Sequence, residues 1–208
     1  MKKEYKISLI GAGVTTLCIL SLFMGTKIVH YDLDANRLKE NELHYWHTKA
    51  QLVDEVQSYI NKIAPTSDLR AVALVDACEK YNIEVKFALA QGENESHFGT
   101  KGLAAKTNSV WNVGAFTDFT YAKIMSTYKY KHPNESIEPY LKLIYNKYMT
   151  ETAEEGLMRN YVDHNGHRFA ADPHYEERLR ATYKKIGKCT QIDSLSQQLH
   201  YWQVKANR

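Results

Sequence analysis

The chain has 208 residues and a mass of 24.0 kDa, room for one domain of ordinary size with appendages. Hydrophobic residues at 44% and charged residues at 25% exclude wholesale disorder. The formal charge of +3 sits in residues 1–29, where Lys2, Lys3, Lys6 and Lys27 face Glu4; of the 27 basic and 24 acidic groups, 23 of each remain in residues 30–208, so no basic face for nucleic acid is implied.

Residues 7–26 carry no charge, close to the ~20 residues that cross a bilayer as a helix. Three lysines precede them, which places residues 1–6 in the cytoplasm and everything after Lys27 outside, on the periplasmic or cell-wall side. No small-residue pair of the A-x-A kind stands near residues 23–26, so an uncleaved signal anchor is expected over a cleaved signal peptide. Leu17 before Cys18 argues against lipidation. Cys78 and Cys189 would face an oxidising compartment, where a disulfide is possible, but as isolated cysteines they read as two small buried residues.

Residues 32–64 contain no Gly or Pro, and Leu43, Trp46, Ala50, Val53 and Ile60 fall on an a/d-like spacing that Gln57 breaks. This predicts one long amphipathic helix, of roughly 30 residues and about 45 Å, serving as a stalk or as a first packed helix. Pro65 ends it. Ser67 or Asp68 is placed to cap a second helix that Asn82 terminates, and a third begins at Glu84. The stretch SVWNVGAFTDF reads as a short hairpin or ordered loop. A fourth helix is predicted over 137–149, with Ile137, Tyr140, Leu141, Ile144, Tyr145 and Tyr148 on one face. A loop follows, then a fifth helix stopped by Gly187. In the tail, Ile192, Leu195, Leu199 and Trp202 recur at helical spacing, as in a helix docked on the stalk. The domain organisation is therefore 1–29 cytoplasmic tip and anchor, 30–64 amphipathic helix or stalk, 65–187 main domain and 188–208 tail helix.

The third helix ends in AQGENES, with Glu93 and Glu95 in its last turn, where the macrodipole disfavours anions. On a helical wheel Glu95 falls between Ala88 and Gln91, against the apolar side, where surroundings favour the protonated carboxyl that a general acid needs. Glu93 falls nearly opposite, beside Lys86, and is expected to be solvated. His164 and His167, with Asp163 and His174 nearby, lack an H-x-x-x-H spacing or a cysteine partner, so a polar loop is expected there and no metal.

ALAQGENESHFGT resembles the A-L-A-Q-x-x-x-E-S-x-x-G signature of peptidoglycan-cleaving enzymes with a lysozyme-like fold, and more closely that of the family 73 glycoside hydrolases, the endo-β-N-acetylglucosaminidases. LAAKTNSVWNVGAF is similar to the L-A-x-x-x-N-N-x-F-G-I segment that lines the family's glycan cleft, and FAADPHYEERL to its Y-A-T-D-P-x-Y-A-x-K-L segment. The three occur in the family's order and span about residues 66–186. The resemblance implies a mostly α, lysozyme-like domain with a small β-hairpin, no cofactor, and peptidoglycan glycan strands as the partner. It makes Glu95 the catalytic acid, with Asp118 on the hairpin as the candidate second carboxylate. Gln91, Ser96, Asn108, Trp111, Asn112, Phe116, Asp172 and Tyr175 become candidate substrate-side residues. Each has a plainer role open to it: Ser96 as a helix-end cap, Asn108 and Asn112 as turn residues, Trp111 and Phe116 as core, and Asp172 as an N-cap. Phe169 departs from the family's tyrosine, so the hydroxyl expected there is absent or comes from Tyr161 or Tyr175. A lytic transglycosylase, or a membrane-tethered wall-binding protein without activity, fits the same residues.

Overall fold

The computed structural model describes residues 35–113, 129–149 and 154–206. Its elements are α1 (35–63), α2 (Ala71–Tyr81), α3 (Val85–Ser96), α4 (Ala104–Thr107), a 3-10 turn (Pro133–Ser136) leading into α5 (Ile137–Leu143), a π turn (Ile144–Tyr148), α6 (Glu154–Leu157), α7 (Tyr175–Cys189) and α8 (Ile192–Lys205). The chain is mostly helical, as expected for a lysozyme-like domain. The described residues hold no strand, only an antiparallel bridge from Val162 to Arg168. The expected hairpin is not seen: residues 109–113 make a turn, closed by the N–H of Asn112 on the Ser109 carbonyl at 3.0 Å, and residues 114–119 lie outside the described residues. No helix among the described residues is long and apolar enough to cross a membrane, and the expected anchor, residues 7–26, also lies outside them.

Residues 48–199 form one compact unit; the described residues of the second are 35–47 and 200–206. Helix α1 buries a different row from the one its a/d spacing predicts. Tyr45, Thr48, Leu52, Val56, Tyr59 and Ile60 are buried, at steps of three and four residues, whereas Leu43 and Trp46 are 69% and 49% exposed. The aromatic pair at 45 and 46 leaves the register ambiguous, and Tyr45 takes the inside position. Gln57, which breaks the predicted stripe, has a task of its own. Its Oε1 accepts the N–H of Ala71 at 2.8 Å, one of the orphan donors at the start of α2, and its Nε2 donates to the Leu69 carbonyl at 3.3 Å. Asn134 Oδ1 takes the neighbouring N–H of Arg70 at 2.9 Å. Amide side chains from distant positions of the same chain thus cap α2, and neither Ser67 nor Asp68 does. Ser67 turns instead to the segment just after α3, donating to the Phe98 carbonyl at 2.6 Å. Asn82 does end α2, in the left-handed conformation at φ 50°.

Within the second unit, Trp202 stacks on His44 with centroids 4.4 Å apart. Within the larger unit, Ile192, Leu195 and Leu199 of α8 are buried.

Helix α3 is the centre of the larger unit. Residues 85–93 are all buried, so this helix has no solvent face, and it packs most heavily on α7. Gly92 permits that closeness: a Cβ there would meet Trp111 Nε1 at 3.2 Å and the Phe98 ring at 3.3 Å. Gly187 does not stop α7, which runs on to Cys189. A Cβ at position 187 would lie 2.9 Å from Asp193 Oδ2 and 3.6 Å from Lys86 Nζ, so this glycine makes room for the Lys86–Asp193 ion pair of 2.6 Å. Cys78 is buried and Cys189 is exposed, which corrects the expectation that both are buried. The predicted fourth helix is α5 plus the π turn; Ile137, Tyr140, Leu141 and Ile144 are buried as predicted, while Tyr145 is 54% exposed because the wider turn rotates it outward.

Candidate active site

The two glutamates at the end of α3 exchange the environments that the helical wheel assigns them. Glu93 is the buried one, at 8% exposure. Its Oε2 accepts the Tyr59 hydroxyl of α1 at 2.5 Å, and its Oε1 pairs with Lys185 of α7. Lys86 is not its partner; that cation pairs with Asp193 and lies 3.8 Å from the centre of the Tyr183 ring. The Tyr59 hydroxyl, pushed far up first by burial and then by Glu93, stays a donor to it. Three helices are thus tied at one buried carboxylate. Glu95 is only half-buried and lines a cleft of about 620 Å³.

Donors orient both Glu95 oxygens. The Tyr175 hydroxyl donates to Oε1 at 2.7 Å, and Asn112 Nδ2 donates to Oε2 and to the Glu95 carbonyl, each at 3.1 Å. Asn112 adopts the left-handed conformation at φ 51°, which asparagine tolerates, and so serves the helix end and the carboxylate together. Tyr175 is itself held from behind. Gln91 Nε2 donates to its oxygen at 3.1 Å, while the Tyr140 and Tyr161 hydroxyls donate to Gln91 Oε1 at 2.6 and 3.0 Å. Two hydroxyl donors on Oε1 leave the amide nitrogen facing Tyr175, whose own proton must then go to Glu95. Burial, followed by the negative charge of Glu95, holds the Tyr175 hydroxyl well above its ordinary value, so it remains a donor. Phe169, where a tyrosine is expected, stacks on Tyr161 at 4.5 Å and lines the cleft, and the hydroxyl on the carboxylate comes from Tyr175.

The remaining predicted residues divide clearly. Gln91 is fully buried and acts on Glu95 only through Tyr175. Ser96 donates to the Val110 carbonyl at 2.5 Å and accepts the Gly99 N–H at 2.7 Å, a turn staple with no bond to Glu95. Asn108, left-handed at φ 56°, donates to the Tyr130 carbonyl at 2.8 Å and shapes its loop. Trp111 borders the cleft but is 1% exposed. Its ring lies flat on Tyr140 at 4.5 Å and its Nε1 donates to the Ala88 carbonyl at 2.9 Å, so it packs as a core residue behind the cleft. Asp172 accepts the His174 N–H at 2.9 Å and pairs with Arg178, which shapes the start of α7. Phe116 and Asp118 lie outside the described residues.

Sequence reasoning missed the other side of the cleft. Asn146, Lys147 and Tyr148 of the π turn line it, as does Asp163 from the His-rich loop. A π turn has no sequence signature in a helix-period stretch, so only its presence in the fold reveals that wall. The described residues hold no cluster of His, Cys, Asp and Glu suited to a metal ion.

Residues 71–188 match the family model for Glucosaminidase, described as mannosyl-glycoprotein endo-beta-N-acetylglucosaminidase. That range takes in α2 through all but the last residue of α7, and both residues that hold the Glu95 carboxylate, Asn112 and Tyr175. No curated protein matches the chain.

Proposed function

Because the chain belongs to the glucosaminidase family and is a glycoside hydrolase, we propose that it cleaves the β-1,4 backbone of peptidoglycan as an endo-β-N-acetylglucosaminidase, with Glu95 as general acid. The observation that carries this reading is the half-buried Glu95 carboxylate in an open cleft, held by Tyr175 and Asn112. A general acid must sit within hydrogen-bond reach of the leaving oxygen, which requires a fixed carboxylate rather than a swinging one. Glu95 fits that role better than Glu93, whose two oxygens are taken by Tyr59 and Lys185. A cleft of about 620 Å³ has room for sugar units, and Tyr148 and Phe169 on its lining offer apolar surface to sugar rings.

Purified sacculi digested with the protein are expected to release fragments with reducing-end N-acetylglucosamine. Glu95→Gln is expected to reduce that release by at least about 1,000-fold while wall binding and melting temperature stay near wild type. Release of anhydro-muramyl ends would assign the transglycosylase reading instead. Equal behaviour of wild type and Glu95→Gln would leave a wall-binding protein.

For location, the support is the uncharged segment 7–26 behind three lysines. On this reading the protein is membrane-anchored with its cleft outside the cytoplasm. Full-length protein in the membrane fraction, with its C-terminal part open to external protease, is the expected result; a soluble product beginning near Lys27 would end the anchor.

A further inference from the structure

Among the described residues two carboxylates line the cleft, Glu95 and Asp163. Asp163 belongs to the Asp-His-Asn-Gly-His stretch, which the family motifs leave without a role. Its Oδ1 accepts the backbone N–H of Asn165 at 2.9 Å and of His167 at 2.8 Å, and its own N–H donates to the His167 carbonyl at 2.8 Å. Gly166, at φ +82°, makes the turn that lets these bonds close. The loop is fastened in turn to the π turn: the N–H of His164 donates to the Lys147 carbonyl at 3.1 Å, and the His164 ring lies 3.1 Å from the Asn146 carbonyl. Asn146 and Lys147 line the same cleft. Asp163 is thus fixed to cleft-lining backbone, with its side chain 14% exposed and Oδ2 3.3 Å from Nδ1 of the exposed His167 ring.

Glycoside hydrolysis develops positive charge at the anomeric carbon as the leaving oxygen gains a proton, and a preorganised anion lowers that barrier. We propose that Asp163 is the second carboxylate of this cleft, a fixed anion that stabilises the positive charge at the anomeric carbon while Glu95 protonates the departing oxygen. The proposal rests on the reading of Glu95 as general acid. The glycosidic C–O bond breaks with its electron pair going to the oxygen, which takes the proton of Glu95. Water then adds its oxygen to the anomeric carbon and returns one proton to Glu95. Asp163 forms no bond and gains no proton in either step. The N–H groups of His167 and Asn165 hold its carboxyl below the usual carboxylate range, which suits a standing charge better than a proton acceptor.

Asp163→Asn in the full chain separates this role from simple loop stapling. The amide keeps an oxygen to accept the N–H groups of Asn165 and His167 and loses only the charge. The expected result is a kcat about 100-fold lower, with KM within about twofold and with sacculus binding and melting temperature near wild type. In Asp163→Ala, added formate is expected to recover activity about tenfold, because a small anion can enter the vacated position. An unchanged kcat in Asp163→Asn, or a folded, wall-binding Asp163→Ala that formate does not rescue, overturns the assignment. If Glu95→Gln is inactive in the same assays, that failure leaves the general acid standing. If Glu95→Gln is as active as wild type, the general-acid reading falls whatever Asp163 does.

Discussion

Tyr175 is the residue on which the orientation of Glu95 turns. Its ring contributes to an aromatic cluster with Tyr161 and Phe169, at 6.0 and 5.5 Å between centroids, and its hydroxyl joins the buried Gln91 amide to the cleft carboxylate. Tyr175→Phe keeps the ring and removes the bond. It is expected to lower kcat about tenfold with little change in KM, since proton delivery and not binding loses its guide. The same change leaves Gln91 Nε2 without its hydroxyl acceptor in a buried place, which costs about 1 kcal/mol of stability by thermal unfolding. Glu93→Gln is the opposite case. Glu93 binds Lys185 and Tyr59 away from the cleft, so the change is expected to destabilise by about 1–2 kcal/mol while kcat stays within about twofold. A Glu93→Gln enzyme that is stable but inactive would reverse the roles of the two glutamates.

At the scale of elements, side chains from distant parts of the chain set where helices begin and how they lock. The C-terminal end of α2 is joined to α5 through Glu138, which accepts from Lys80 Nζ at 2.8 Å and from the Tyr81 hydroxyl at 2.6 Å. Those bonds lower the Glu138 carboxyl to about 2 from an ordinary 4.5. A carboxyl depressed in the folded state adds stability that is whole above about 4.5 and is lost as pH falls toward about 2. The pair is largely exposed, so solvent screening keeps the contribution small. Melting temperatures of wild type and Glu138→Gln are therefore expected to differ slightly near neutral pH and to converge as pH approaches 2. A gap that widens toward acid would show that Glu138 is not held by these donors.

At the scale of the whole molecule, the family match begins at residue 71, but the larger compact unit begins at residue 48. Leu52, Val56, Tyr59 and Ile60 of α1 are 0–3% exposed, and Tyr59 reaches the buried Glu93. This stretch is a packed helix of that unit, not a free stalk. A truncation starting at residue 65 uncovers that apolar face and leaves Glu93 without its hydroxyl donor. It is expected to be insoluble or to lose its cooperative melting transition, whereas a chain starting at residue 35 is expected to melt as the full-length protein does. A cooperative, active fragment from residue 65 would return α1 to the role of a spacer.

The sequence by itself determined the helical class, the order of the main helices and the three motif stretches that carry Glu95, Asn112 and Tyr175. These are local matters: period, turn residues and short spacings. It also placed a polar loop at 163–167. Tertiary structure alone decided which glutamate is enclosed and which is open. A wheel ranks the sides of one helix, but α3 is surrounded, and its polar side meets Tyr59 from α1 and Lys185 from α7 instead of water. It likewise decided that Gln57 caps α2, that Gly187 lies within α7 beside an ion pair, and that Trp111 is core. Asp163 reaches the cleft because its loop is bonded to a π turn that shares a helical period with its neighbours in sequence and departs from it only once the chain is packed.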